Sequence, residues 1–228
     1  MPKQYSRLHK GEVTLRLGCN LANGKVGGDS KIGCVLGLDF KHLDGASFMS
    51  NGDCYGHLCT NHGSKWQLDG RYFNGSSDYL QVASHPAFNI GTGDLTAVSP
   101  ISVSKAKQGT EFDWWGGNAG NLVFHKSVAD EYHYSDGTDW PKWGASARFD
   151  WWDCLALLRR VGVFQSFVDG NPVGTSTYNW NINFQANALL IGRADGFTRY
   201  FQGLVGRQLF FNFADYAPRI VERAIEGG

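Results

Sequence analysis

Leu155-Ala-Leu-Leu-Arg-Arg-Val-Gly-Val-Phe-Gln-Ser-Phe-Val-Asp-Gly-Asn-Pro-Val173 decides the fold class. Leu155–Val163 and Phe164–Val168 are rich in branched and aromatic side chains and flank a turn near Gly162. Asp169-Gly170-Asn171-Pro172 follows as a strong turn signal, because Asp and Gly accept the backbone angles of a tight hairpin. Runs of this kind recur on both sides of the stretch. Ile32–Phe40 is one, and Tyr79–Ala83 follows the turn Asn74-Gly75. Leu95–Val103 is another, with Pro100 inside it. A proline cannot donate to a ladder, so it predicts an edge or a bulge there. Asn121–Lys126, Ala145–Trp151, Ala188–Ile191 and the long run Tyr200–Phe213 complete the series. Short strands at this spacing, with few helical patterns between them, predict an all-β sandwich or barrel. Phe-Asp-Trp-Trp occurs twice, at Phe112–Trp115 and Phe149–Trp152, but no third copy makes it a repeat unit.

The two ends read differently. Residues 1–32 carry Lys3, Arg7, Lys10, Arg16 and Lys25 against Glu12 and Asp29, and Glu12-Val-Thr-Leu-Arg-Leu17 alternates polar with apolar. This stretch is expected to be an arm or edge hairpin ahead of one domain over residues 33–228. Near the other end, Ala217–Ile225 has a helical pattern, with Pro218 in its first turn and Ile220, Val221 and Ile225 as apolar positions.

Composition narrows the function classes. The 228 residues hold 21 Lys and Arg and 21 Asp and Glu, a net charge of zero, which argues against duplex nucleic acid or an anionic membrane as partner. Glycine supplies 30 residues, about twice the usual share. Aromatics make up 14% and charged residues 18%, which suits strands and tight turns rather than a helical bundle or a disordered tail. No apolar run is long enough for a membrane-spanning helix. The first residues lack the apolar core of a secretory signal, and the five cysteines are an odd number. Free, partly buried thiols in a reducing compartment are therefore expected. Cys54, His57, Cys59 and His62 sit close together, but no second ligand pair follows, so the spacing does not make a zinc site.

Seven segments fall in the order of a known family. They are Gly33-Cys-Val-Leu-Gly-Leu-Asp-Phe40, Tyr72–Val82, Phe88–Ser99, Trp151–Arg160, Phe167-Val-Asp-Gly-Asn-Pro-Val173, Leu189-Leu-Ile-Gly-Arg193 and Phe201–Asn212. Together they resemble a laminin-G-like domain of the concanavalin A-like lectin and glucanase class, over residues 33–225. The resemblance implies an antiparallel two-sheet jelly-roll sandwich, here with the N-terminal arm and a short C-terminal helix attached.

Glycanases of that class use Glu-x-Asp-x-x-Glu along one strand. Here Glu111 and Asp113 fill the first two places, and Gly116 stands in the third, so the second glutamate needed for retaining hydrolysis is missing. The lyase branch would need a Tyr, His, Arg and Gln cluster, for which Tyr132-His133-Tyr134 alone offers a base. No enzymatic activity is expected. Relatives often hold calcium through an acidic pair in the last strand; Gly206-Arg207 stands there instead, so neither metal nor cofactor is expected. The segment from Glu111 to Trp152 is long and holds Trp114, Trp115, Tyr132, Tyr134, Asp136, Trp140 and Trp143, with glycines between them. Aromatic rings beside carboxylates suit sugars or a protein partner, so these seven are the candidate ligand-binding residues. Of each adjacent tryptophan pair, one ring is expected in the core and one on the surface. The expected function is a non-catalytic binding or structural module. It would be mounted through its arm on other proteins of a virus or phage particle, with glycan or protein as ligand and no nucleic acid or membrane partner. A free lectin or a glycan-cleaving enzyme is the alternative.

Overall fold

A computed structural model describes residues 33–214, apart from 41–42, 44, 51, 54, 118–121, 137, 185–187 and 195–197. The N-terminal arm and the C-terminal helix expected from sequence lie outside the described residues. In chain order the strands are β1 (Cys34–Leu38), β2 (Ser47–Met49), β3 (Leu58–His62), β4 (Lys65–Gln67), β5 (Gly70–Asn74), β6 (Tyr79–Val82) and β7 (Asn89–Gly91). Then come β8 (Leu95–Val103), β9 (Phe112–Gly116), β10 (Val123–Lys126), β11 (Glu131–Ser135), β12 (Lys142–Ser146) and β13 (Trp152–Arg160). The last are β14 (Val163–Val168), β15 (Asn171–Thr177), β16 (Ile182–Asn183), β17 (Leu189–Ile191), β18 (Gln202–Val205) and β19 (Gln208–Phe211). No helix among the described residues is long and apolar enough to cross a membrane.

Two antiparallel sheets face each other, as a jelly-roll sandwich requires. One has the order β15-β14-β13-β8-β18-β5-β4, with β19 also on β8 and β1 on β19. The other runs β12-β11-β10-β9-β17-β6-β3-β2. Their inner faces close on one apolar core, in which Leu155, Leu157, Ile101 and Phe210 of the first sheet meet Trp114, Trp115, Phe124 and Trp143 of the second. Ring contacts bridge the sheets, such as Trp115 with Phe210 at 5.3 Å and Tyr134 with Phe164 at 5.5 Å. The indole N–H groups find acceptors across the gap: Trp114 on Ser99 Oγ and Trp143 on the Phe167 carbonyl. At one edge β12 meets β15 so closely that a side chain at Gly144 would come within 2.2 Å of the Val173 carbonyl oxygen. Gly144 also has φ +94°, so only glycine fits there.

Leu95–Val103 forms a strand with the predicted bounds, and Asp169-Gly170 turns β14 into β15 with both residues at positive φ. Pro100 lies mid-strand rather than at an edge, but it faces a bulge. The register against β8 slips by one residue between Val205 and Leu209, and Gly206 N–H donates to the Pro100 carbonyl at that slip. The missing proline N–H therefore falls where the ladder is interrupted. The predicted run Tyr200–Phe213 is accordingly two strands, not one. The run Ala145–Trp151 is corrected: β12 ends at Ser146, Trp151 is exposed, and β13 starts at Trp152.

Candidate functional site

Strands β9, β10 and β11 share a sequence habit: Phe112-Asp113-Trp114, Phe124-His125-Lys126 and Tyr132-His133-Tyr134 each set a polar residue between two that point inward. Alternation sends Asp113, His125 and His133 to the outer face of the eight-stranded sheet. Asp113 and His125 are buried there, and the Asp113 carboxylate accepts from His125 Nδ1 at 2.8 Å. Because a carboxylate only accepts, that bond places a proton on His125 Nδ1, while Nε2 stands 3.9 Å from Glu111 Oε2. Arg199 reaches across from the loop before β18. Its Nε lies 3.1 Å from Asp113 Oδ2, and one terminal nitrogen lies 3.4 Å from Glu111 Oε2.

Trp140 joins this group. Its ring packs edge-on against His125 at 5.0 Å, the Arg199 guanidinium lies over it at 5.6 Å, and its carbonyl accepts from His133 Nδ1. His133 is therefore an Nδ1–H tautomer. Its Nε2 is buried and makes no hydrogen bond among the described residues, and Glu131 stands 3.9 Å away. Burial is the main reason the His133 pKa falls below its ordinary value, so the ring favours its neutral, accepting form. Beyond Asp113 the face continues as a stack. Tyr200 bridges to Asp113 through its backbone, Arg193 bonds the Tyr200 hydroxyl and covers Tyr79 at 4.5 Å, and His62 lies flat on Tyr79 at 4.1 Å.

Five of the seven expected ligand-binding side chains are placed differently from the prediction. Trp114, Trp115, Tyr132, Tyr134 and Trp143 are fully or almost fully buried between the sheets, so they cannot offer a ring to a ligand. A bulge explains the tryptophan pair. Phe124 faces Trp115 and His125 faces Asp113, which makes Trp114 the extra residue and turns both indoles inward. Tyr132 spends its hydroxyl on Asp153 and Tyr134 on Ser176. Asp136 closes its own turn, accepting from Thr138 and Asp139. Burial alone would raise its carboxyl, but those donors lower it below the usual range. Trp140 alone of the seven takes part in the polar face. The sequence reading missed Asp113, His125 and His133 as a group, although each is the polar residue between two inward positions of its strand. Arg199, Arg193 and Tyr79 carried no local signal, since distant segments bring them in.

Gly116 supplies no third acid beside Glu111 and Asp113, and a side chain added there would crowd Val123 at 3.0 Å. Among the described residues no group of three or more His, Cys, Asp or Glu could hold a metal ion. Cys59 and Cys154 are free and buried, and Cys34 is buried as well.

No protein-family model matches the chain, and no curated protein matches it by sequence. Solved structures do resemble it. Trypanosoma rangeli sialidase in complex with sialic acid superposes with a TM-score of 0.63 at 13% identity, over 84% of this chain and 32% of that one. The receptor-binding domain of botulinum neurotoxin C/D mosaic serotype superposes with a TM-score of 0.67 at 9% identity, over 86% of this chain and 51% of that one. The chain thus spans about a third of the sialidase and half of the toxin domain. At these identities the likeness is one of fold.

Proposed function

We propose that this chain is a carbohydrate-binding module of the laminin-G-like kind, without hydrolase or lyase activity. Its ligand face is the outer side of the eight-stranded sheet. The observation that carries the reading is the group Trp140, His125, Asp113, Arg199 and His133, which sets a half-buried ring beside fixed acceptors on an otherwise well-packed sheet. Sugar C–H faces stack on such rings, and sugar hydroxyls donate to neutral imidazole nitrogens and carboxylates. The Nε2 of His133 makes no hydrogen bond among the described residues, and a sugar hydroxyl that displaces the groups covering it would gain an acceptor there. A sialidase holding sialic acid and a toxin's receptor-binding domain share the fold, which supports the reading by analogy only. The missing third acid at Gly116 argues against hydrolysis.

An array of acidic and neutral glycans, probed with the intact chain and with Trp140→Ala, tests this. Binding to one glycan class that Trp140→Ala weakens at least about tenfold is expected. No binding to any class, or binding indifferent to Trp140, refutes it, and glycan cleavage lost in Glu111→Gln would return the chain to the enzymes. The setting we propose is the surface of a virus or phage particle, with residues 1–32 as the attachment. Only the basic, strand-capable sequence of that arm supports it. Deleting residues 2–28 is expected to abolish assembly while the domain still folds; a domain that no longer folds would make the arm part of the sandwich.

A further inference from the structure

The outer face of the nine-stranded sheet carries an apolar patch. Inner positions of β8 and β13, such as Ala97, Ile101, Leu155 and Leu157, belong to the central core. Their alternates Val98, Cys154 and Ala156 form a second apolar cluster with Cys34, Phe167, Leu209 and Phe211. In-plane neighbours alone do not bury a phenylalanine on an open sheet face, yet none of these seven is more than 7% exposed. Among the described residues, only Leu158 and Phe213 add apolar packing to the cluster.

We propose that this face seats the C-terminal segment, residues 215–228, as a short amphipathic helix lying across β19, β8 and β13. The chain already turns that way. Phe213, two residues past β19, packs on Phe211 at 5.2 Å, and its carbonyl accepts from Thr96 Oγ1. Thr96 sits on β8 two residues before Val98, on the same side of the sheet. The sequence that follows fits the face. Ala217, Ile220, Val221, Ala224 and Ile225 fall at i, i+3, i+4, i+7 and i+8, one stripe of a helix. Arg219, Glu222, Arg223 and Glu226 take the other side, Pro218 suits the first turn, and Gly227-Gly228 end the pattern. Nine helical residues span about 13 Å, close to three strands at about 4.8 Å each. Those three strands carry Leu209 and Phe211, Val98, and Cys154 with Ala156. The N-terminal arm meets the same face at Gly33, but its alternating run Val13, Leu15 and Leu17 lies 16 or more positions back, and the nearer Leu21, Val26 and Ile32 stand singly among glycines and polar residues, with no stripe to match the face.

Thiol reactivity reads the cover directly, because Cys34 and Cys154 lie under it and Cys59 lies in the central core. Burial pushes the Cys154 and Cys59 thiols up to about 12, so neither reacts readily while covered. In the full chain carrying Cys19→Ser and Cys54→Ser, the double change Ile220→Asp/Ile225→Asp is expected to speed labelling of Cys154 and Cys34 at least about tenfold. Cys59 should stay unreactive, and Val13→Asp/Leu15→Asp/Leu17→Asp should change nothing. Unchanged labelling in the tail variant, or uncovering by the arm variant, overturns the proposal. Should the tail variant unfold, as rapid Cys59 labelling would reveal, methyl contacts in the unaltered chain decide. Nuclear Overhauser effects from Ile220 and Ile225 to Val98 and Leu209 are expected. Their absence, or effects from Val13, Leu15 and Leu17 in their place, rejects the tail as occupant.

Discussion

Strands β9 to β12 have two sides, and the two use the same residue types for different ends. The inner side holds Phe112, Trp114, Trp115, Phe124, Tyr132, Tyr134 and Trp143, all buried and packed ring on ring. The outer side holds Asp113, His125, His133 and the half-buried Trp140, joined by ion pairs and hydrogen bonds with Arg199. Trp140 and Trp143 stand three residues apart, yet one borders the ligand face and the other fills the core. Aromatic content therefore did not mark the site. The polar residue between two inward-pointing side chains did, because alternation puts it on the face that the core does not use.

The largest expected effect falls on the inner side. Trp143→Ala should cost about 3–5 kcal/mol of stability in urea unfolding, as a large ring lost from a closed core leaves a cavity. Trp140→Ala should cost under about 1 kcal/mol, since its ring is partly solvated, while losing glycan affinity. Equal costs for the two would erase the difference between the sides.

Asp113→Ala should come next, at about 1–3 kcal/mol, because it removes the acceptor that orients His125 and the carboxylate beside Arg199. Asp113→Asn keeps a carbonyl acceptor for His125 Nδ1 and should recover part of that loss. If Asp113→Ala proves neutral in urea unfolding, the ion group is not holding the outer face in place.

Much of the fold was legible because local rules and packing agree. β8 kept its predicted bounds, Pro100 faced a bulge, and Asp169-Gly170 made its turn. The inward pair Trp114 and Trp115 was not legible, since strict alternation forbids it and the bulge that permits it depends on β10. The site was half legible for a similar reason. Asp113, His125 and His133 are set by their own strands, whereas Arg199 arrives from 86 residues beyond Asp113, and no local pattern announces such a meeting.

The smallest expected effect is a pH dependence that the neutral imidazoles of His133 and His57 should produce. Burial is the leading cause that lowers both pKa values from the ordinary 6.5. Above about pH 6.5 each ring is neutral folded or unfolded, so neither shifts the balance. As the pH falls through that value, the unfolded chain binds protons first, and stability declines until the folded rings also titrate. Urea midpoints should therefore drop between about pH 7 and about pH 5. The double variant His57→Gln/His133→Asn should flatten that drop, since Gln can replace the Nε2–H bond to Val35 and Asn the Nδ1–H bond to Trp140. A drop that survives in the double variant would assign it to other groups. Glycan binding adds a second readout on the outer side alone. Protonation turns His133 Nε2 from acceptor to donor, so affinity should weaken toward acid in the unaltered chain and in His57→Gln, while His133→Asn binds weakly at both pH values. An affinity that strengthens toward acid would mean that the ligand is recognised by positive charge and not by the neutral ring.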